Sequence, residues 1–372
     1  MQERAFWLAW SQVTGVGAIL LRRLSDHFGS LEIAWDAKPS ELLAVDGFGL
    51  QTADTVAIDR LRIDPEKLLQ QHERENPCFW TPADPDYPRL LLEIPDPPPV
   101  LYYNGTVDRL ENQGHVPAIA IVGTRDPSDY GRRWTRKLSA ALAQAGFLVV
   151  SGLADGIDTE AHTSCLNAGR RTIAVMATGV DVIYPAFNRN LSQRIINQGL
   201  LLSEYPAGTQ PDRVNFPRRN RIIAGLSRAT LVLEAPQKSG ALITARLAND
   251  YGRDVYVLPG SLDNKRCLGC LDLLYQGAHA ILGEAHLLEL LDTLPRLQSD
   301  ATQLSLLETA PPPDLAPDLQ QVLQVVGNEA IAIDWLVQQT ELPTGAVLSA
   351  LAQLELLGLV SQLSGGTRYQ RS

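Results

Sequence analysis

Between residues 118 and 282, short unbroken apolar runs alternate with longer stretches of helical period. The runs occupy residues 119–122, 148–150, 173–176, 200–202, 231–233 and 255–258, and they give way to glycine or small polar residues before a helical stretch. Continuous apolar runs belong to strands covered on both faces, whereas a half-exposed strand alternates apolar with polar. Interleaved with helices, they predict a parallel sheet, and the expected fold class is α/β, a Rossmann-like doubly wound sheet. Residues 279–282 are expected to close the sheet, and residues 100–103 to add a strand to it.

The flanks read differently. Residues 1 to about 65 carry helix-period apolar positions in short pieces, with a weak internal repeat. Thr14-Gly15-Val16-Gly17 precedes Ala18-Ile19-Leu20-Leu21, and Asp46-Gly47-Phe48-Gly49 precedes Leu50-Gln51-Thr52-Ala53. Gly-apolar-Gly before a helix is the turn of a helix-hairpin-helix unit, whose glycines let helix-start amides approach a phosphate. The first copy has Arg22 and Arg23 nearby; the second has Asp46 and Asp54 and no base, so it is expected to be structural. The alternative is that both copies only pack a small helical domain. Pro82, Pro85, Pro88, Pro95 and Pro97-Pro98-Pro99 exclude regular helix and predict an extended lead into the sheet. Residues 295–313 read as a linker ending Ala310-Pro311-Pro312-Pro313. Beyond it, residues 334–339, the turn Glu341-Leu342-Pro343 and residues 344–357 have helix-turn-helix spacing, and residues 360–369 around Gly365-Gly366 read as a wing. The expected domains are 1–75, helix-hairpin-helix; 76–294, the Rossmann-like core; 295–313, the linker; and 314–372, a winged helix.

A chain of 372 residues can hold two or three cores. No apolar run nears the ~20 residues that span a bilayer, and residues 1–17 lack the basic start and cleavage site of a signal peptide. Four cysteines make no disulfide scaffold, so the expected location is cytoplasmic, with no membrane. The net charge of −10 argues against indiscriminate nucleic-acid binding, but the charge is uneven. Residues 118–260 hold 17 Lys and Arg against 11 Asp and Glu, while the remainder holds 15 against 31. Positive charge therefore gathers among the glycine-rich turns; chance clustering on a solvated face is the alternative.

Open parallel sheets bind ligands outside the carboxyl ends of their strands. Here those ends read Gly123-Thr124-Arg125, Ser151-Gly152-Leu153, Thr178-Gly179, Ser203-Glu204-Tyr205 and Pro236-Gln237-Lys238-Ser239-Gly240. Small residues, free helix-start amides and a few cations suit phosphate. The first turn lacks G-x-G-x-x-G, so no dinucleotide is expected, and no other cofactor is called for. Phe216-Pro217-Arg218-Arg219-Asn220-Arg221 sets three arginines beside a ring, which suits phosphates flanking a stacked base. An anion loop with Phe216 packed in the core is the alternative.

Taken in order, these segments resemble the DNA-processing protein A family, DprA, also called Smf. The resemblance is carried by Val122-Gly123-Thr124-Arg125, Ser151-Gly152-Leu153-Ala154-Asp155-Gly156-Ile157-Asp158, Ala161-His162, Tyr184-Pro185, Ser203-Glu204-Tyr205-Pro206, Arg219-Asn220-Arg221-Ile222-Ile223-Ala224-Gly225 and Ser239-Gly240-Ala241-Leu242. It implies a protein that binds single-stranded DNA and loads a RecA-type recombinase in natural transformation, as a homodimer built through the core. It assigns phosphate to Arg125 in the turn Gly123-Thr124-Arg125, and base stacking to Phe216. It gives strand backbone to Arg219 and Arg221 beside Asn220, and helix-start amides to Ser239 and Gly240. Arg171 and Lys238 are added from their positions near the site. Thr124 stands where the family usually has serine, which keeps the hydroxyl; Leu271 stands where a polar residue is usual, which puts a polar contact from that loop in doubt.

Other chemistries compete. Related sheets in phosphoribohydrolases carry Gly-Gly-x-Gly-Thr-x-x-Glu. The comparable loop, Ser239-Gly240-Ala241-Leu242-Ile243-Thr244-Ala245-Arg246-Leu247, has leucine in place of the glutamate, so the acid–base role is unfilled and no enzyme is expected. Asp158 and His162 lie four apart on one helix face near Ser151, but nothing supplies a nucleophile elbow, and they are expected to tie helix to sheet. Cys267 and Cys270 form one C-x-x-C with no second pair, so no metal is expected. Residues 344–357 contain Glu355 and no Lys or Arg, leaving Arg368 and Arg371 as donors to a duplex; a protein-interaction module is the expectation there.

Overall fold

The computed structural model describes residues 3–76, 78–292, 316–326, 331–340, 342–356, 360–362 and 368–371. The chain forms two compact units, Met1–Leu297 and Gln298–Ser372.

The first unit opens with six helices: α1 (Glu3–Ser11), α2 (Ala18–Phe28), α3 (Leu31–Asp36), α4 (Pro39–Leu42), α5 (Leu50–Arg60) and α6 (Pro65–Glu75). They bury Phe6, Trp10, Leu21, Leu24, Leu31 and Trp35 in a cluster of their own. Trp10 meets Trp35 edge-on at 5.2 Å between centroids, and its indole N–H donates to Leu31 O at 3.1 Å, so the polar end of the ring is satisfied. Gly15 and Gly47 take φ values of +84° and +85°. Both hairpin turns form, and α2 and α5 start directly after Gly17 and Gly49. A smaller cluster of Ala5, Leu8, Leu69, Phe79 and Tyr102 joins these helices to the sheet.

Nine strands follow: β1 (Phe79–Trp80), β2 (Leu101–Gly105), β3 (Ala118–Val122), β4 (Leu148–Ser151), β5 (Thr172–Met176), β6 (Leu200–Ser203), β7 (Ala229–Val232), β8 (Asp254–Val257) and β9 (His279–Ala280). Between them lie α7 (Arg109–Asn112), α8 (Asp129–Gln144), α9 (Ile157–Asn167), α10 (Arg189–Gln198), α11 (Asn215–Gly225), α12 (Gly240–Asp250) and α13 (Leu268–Tyr275), and α14 (Glu284–Asp292) ends the unit. The sheet order is β1-β2-β6-β5-β4-β3-β7-β8-β9. The seven strands from β6 to β9 run parallel, while β2 pairs antiparallel with β1 and β6. In β3, Ala118, Ala120 and Val122 meet Ile222 and Ile223 of α11 and Ala241 and Ala245 of α12. Ile119 and Ile121 meet Leu138 and Leu142 of α8 and Ala161 of α9 on the other face. Both faces are dry, which is why the apolar runs are unbroken. The winding reverses between β3 and β7: β4 to β6 lie on one side, β8 and β9 on the other. Ligands of such sheets enter the crevice at that reversal.

The proline-rich lead is not extended throughout. It contributes β1 and a 3₁₀ turn, Arg89–Glu93, set between Pro88 and Pro95. A proline just ahead of a first turn removes no donor that the turn uses, so it bounds the turn without breaking it.

The second unit holds α15 (Pro317–Val325), β10 (Ile331–Ala332), α16 (Ile333–Thr340), α17 (Thr344–Leu356), β11 (Val360–Gln362) and β12 (Arg368–Arg371). Its sheet is antiparallel in the order β10-β12-β11. Val322, Leu336, Val347, Leu351 and Leu354 form its core, giving a helix-turn-helix with a wing. The expected linker at 295–313, Gly365-Gly366 and the side chains of Arg368 and Arg371 lie outside the described residues. No helix among the described residues is long and apolar enough to cross a membrane.

Candidate nucleic-acid interface

The loops after β3 and β7 and the first turns of α11 and α12 enclose a cleft of about 360 Å³ at the winding reversal. Gly123, Thr124, Arg125, Phe216, Arg219, Asn220, Ser239 and Gly240 line it. A recess of about 190 Å³ lies beside it, and Arg125 and Phe216 line that one too.

The first βα turn is held by its neighbours. The Thr124 amide donates to Glu234 O at 2.6 Å, and the Thr124 hydroxyl accepts the Asp126 amide at 3.2 Å. Gly156 takes φ +79°, and a Cβ there would fall 2.4 Å from Thr124 O, so only glycine permits the approach. Arg125 projects from this turn. It is exposed and makes no hydrogen bond or ion pair among the described residues. Its Cζ lies 5.4 Å from the centroid of Phe216, a cation–π distance. The half-buried Phe216 ring sits at the cleft lip and belongs to none of the hydrophobic clusters, so the reading of it as a core residue fails. Ser239 caps α12, its hydroxyl accepting the Ala241 amide at 3.3 Å. Asn220 braces the same helix start by donating to Gly240 O at 3.2 Å.

The other expected cations fall differently. Arg219 is only 4% exposed. Its guanidinium donates to Gly152 O at 2.7 Å and to Val175 O, beneath the cleft floor. Burial lowers its pKa to about 10 against the pull of Asp158, so it stays charged at neutral pH. Asp158 accepts the amides of Gly152 and Ala154 at 3.1 and 3.3 Å. Gly152 is required here, because a Cβ would sit 2.5 Å from the guanidinium. Arg221 is paired with Asp96 at 3.2 Å and with Glu204, and it does not line the cleft. Arg171 is not near the site: it precedes β5, at the amino end of the sheet, and binds Glu111 at 2.7 Å and Thr106 O at 2.6 Å. A residue just before a parallel strand stands at the edge opposite the ligand. Lys238 is exposed and unpaired among the described residues, on the loop ahead of Ser239. Arg218 shares that state beside Phe216, although the sequence did not single it out from its two neighbours.

Part of the basic excess of residues 118–260 is taken up in ion pairs within the protein. Arg132 and Arg136 meet Glu160, Lys137 meets Glu284, and Arg253 meets Glu93. Glu93, Asp96, Glu111 and Glu284 all lie outside that segment, so a count along the chain overstates the field in space.

Sequence reasoning also missed Glu234. It is fully buried at the end of β7, where its carboxylate accepts the Ser128 amide at 2.7 Å, the Ser128 hydroxyl at 2.5 Å and the Asn264 side chain at 3.2 Å. It ties the loop after β8 to that after β3. A lone acid closing an apolar run was the available signal. Cys267 lies 3.7 Å from the same carboxylate, and burial pushes its thiol up to about 11.

No triad forms. The Ser151 hydroxyl donates to Ile121 O at 2.6 Å. The Thr172 hydroxyl donates to Val149 O at 2.7 Å, so His162, 2.8 Å away, must donate to it through Nδ1. His162 Nε2 is buried without a partner among the described residues, and burial lowers the imidazole pKa to about 3. Leu247 packs on the core where the phosphoribohydrolase acid would stand. In the first hairpin, the Thr14 amide donates to Asp59 at 3.1 Å. Arg23 meets Asp46 at 3.0 Å and Arg22 donates to Ile94 O. Protein groups occupy what a phosphate would need, which favours the packing role for both turns.

Residues 78–292 match the family model of DNA recombination-mediator protein A. The chain belongs to the DprA/Smf family. Residues 307–366 match the DprA winged helix domain. Over 394 residues the chain is 52% identical to Protein Smf of Synechocystis sp., covering 99% of each. Over 220 residues it is 45% identical to DNA processing protein DprA of Streptococcus pneumoniae, covering 59% of this chain and 76% of that one. The X-ray structure of the Streptococcus pneumoniae DprA superposes with a TM-score of 0.67 at 32% identity, over 79% of this chain and 98% of that chain. A Helicobacter pylori DNA processing protein A, described for its single-stranded DNA binding mode, superposes at 0.53 with 33% identity, over 58% of this chain and 97% of that chain. Membership in the DprA/Smf family gives this chain a role in DNA processing as a recombination mediator.

Proposed function

We propose that this DprA/Smf protein holds single-stranded DNA across the carboxyl edge of its sheet and acts by binding, not turnover. One observation carries the reading: an exposed Arg125, unpaired among the described residues, lies over the Phe216 ring at the mouth of the crevice. Arg125, Arg218 and Lys238 meet phosphates, Phe216 offers a face to a base, and Ser239 and Gly240 present helix-start amides. Arg219 and Asn220 hold the floor. A base offers its face to a ring only when it is unpaired and unstacked, so single strands are preferred over duplex. The Helicobacter pylori relative supports this choice of ligand.

The family likeness extends the reading to delivery of the strand to a RecA-type recombinase, by a cytoplasmic homodimer joined through the core. Residues 1–75 serve it as a structural helix-hairpin-helix domain. The winged helix meets protein, since α17 lacks basic residues and buries Val347, Leu351 and Leu354. The test is a titration of labelled single-stranded and duplex oligonucleotides at several salt concentrations. Single strands bind tighter, with a log–log salt slope of about −0.7 per phosphate neutralised. Arg125→Ala flattens that slope; Phe216→Ala weakens binding roughly tenfold and leaves the slope unchanged. Duplex binding as tight as single-strand binding overturns the reading.

A further inference from the structure

We propose that the recess beyond Phe216 is a second nucleobase slot, so that the ring stands between two successive bases of one strand; the inference rests on the single-strand reading above. The recess and the cleft share only Arg125, Ala154 and Phe216. Phe216 is thus a partition between two cavities and not the end of one. Tyr184, Pro185 and Phe187 also line the recess. The Tyr184 ring lies 5.5 Å from that of Phe216, inclined by 59°. Tyr184 is 41% and Phe187 64% exposed, large apolar surfaces that no other part of the chain covers among the described residues.

The lining chooses the occupant. Asp155 stands in the wall, and Arg125, the one cation there, is shared with the cleft. A phosphate beside Asp155 would meet a like charge, so the sugar–phosphate chain passes on the Arg125 side. What enters the recess is planar and uncharged. One Asp155 oxygen accepts the Gly156 amide at 2.7 Å, and the other makes no hydrogen bond among the described residues. A free carboxylate oxygen accepts the exocyclic amino group of cytosine or adenine, which thymine lacks. Two bases on opposite faces of one ring are about 7 Å apart, two steps of a stacked strand, a spacing an unpaired strand reaches by extending.

The experiment compares full-length protein with Phe187→Ala and Phe187→Leu, using oligo-dC, oligo-dT and an abasic oligonucleotide of equal length. Both variants lose roughly tenfold in affinity for oligo-dC, keep wild-type affinity for the abasic strand, and keep the salt slope. Wild type favours oligo-dC over oligo-dT by a few-fold, and Asp155→Asn removes that preference. The side chain is mostly exposed, so melting temperatures are unchanged, and Phe187→Leu preserves bulk if alanine perturbs the loop. Wild-type affinity for oligo-dC in both Phe187 variants, alongside weakened binding in Phe216→Ala, overturns the second slot alone. Unchanged binding in Phe216→Ala as well overturns the stacking reading from which it starts.

Discussion

Replacing Arg219 with methionine separates a residue that holds the cleft from residues that hold its ligand. Methionine fills similar volume but donates nothing. The change strips Gly152 O and Val175 O of their donor and leaves Asp158 with two backbone amides and no opposing charge. Removing the charge that opposes a buried carboxylate, with two buried carbonyls losing their donor, costs about 3–5 kcal/mol. Unfolding entropy near the midpoint is roughly 2.1 cal/mol/K per residue. For the unit Met1–Leu297 that is about 0.6 kcal/mol/K, so the melting temperature falls by about 5–8 °C. The neighbouring Arg218→Met touches no buried partner; it leaves melting unchanged and flattens the salt slope of DNA binding by about 0.7. Calorimetry and salt-series titrations on the two variants give the comparison. An Arg219→Met protein that melts like wild type yet shows a flattened slope would refute the structural assignment, because its guanidinium would then be serving phosphate.

Acid should destabilise the protein through His162. Its folded pKa, about 3, lies below the unfolded 6.5, so between those values the unfolded chain takes a proton that the folded chain refuses. Stability is full above pH 6.5 and falls as pH drops toward 3, by about 2–3 kcal/mol at pH 4.5. The raised pKa of Asp158 works in the opposite sense, so the readout is the difference between wild type and His162→Gln in urea melts at pH 7 and 4.5; equal losses refute it. Deleting the residues after Pro313 leaves single-strand affinity within a few-fold, because α17 offers DNA no cation; a hundredfold loss, about 2.7 kcal/mol, would place the strand on the winged helix.

The parallel sheet was legible because strands dry on both faces write themselves as unbroken apolar runs, and every such run became a strand. β1 was not, since two residues carry no period, and neither was the 3₁₀ turn between Pro88 and Pro95. The turns that line the cleft were legible as glycine and small polar residues at strand ends. The arginines were not sorted. Arg218, Arg219 and Arg221 occupy one turn of α11, and only the helix phase, fixed by Ile222 and Ile223 in the core, decides which faces water. Arg171 was misplaced because proximity along the chain was taken for proximity to the ligand edge. Glu234 escaped notice because its partners, Ser128 and Asn264, are remote in sequence.

The fit of the Arg219 guanidinium over Gly152 makes the two positions inherit together. A side chain at position 152 is excluded while the arginine is there, and a shorter residue at position 219 leaves a hole that only a larger neighbour at 152 fills. Each single step is harmful, and even the paired step must replace the donor to Val175 O and the charge opposing Asp158, so a lineage cannot drift from one combination to the other through neutral intermediates. The two are therefore expected to change rarely, and then together, at a distance of 67 residues along the chain.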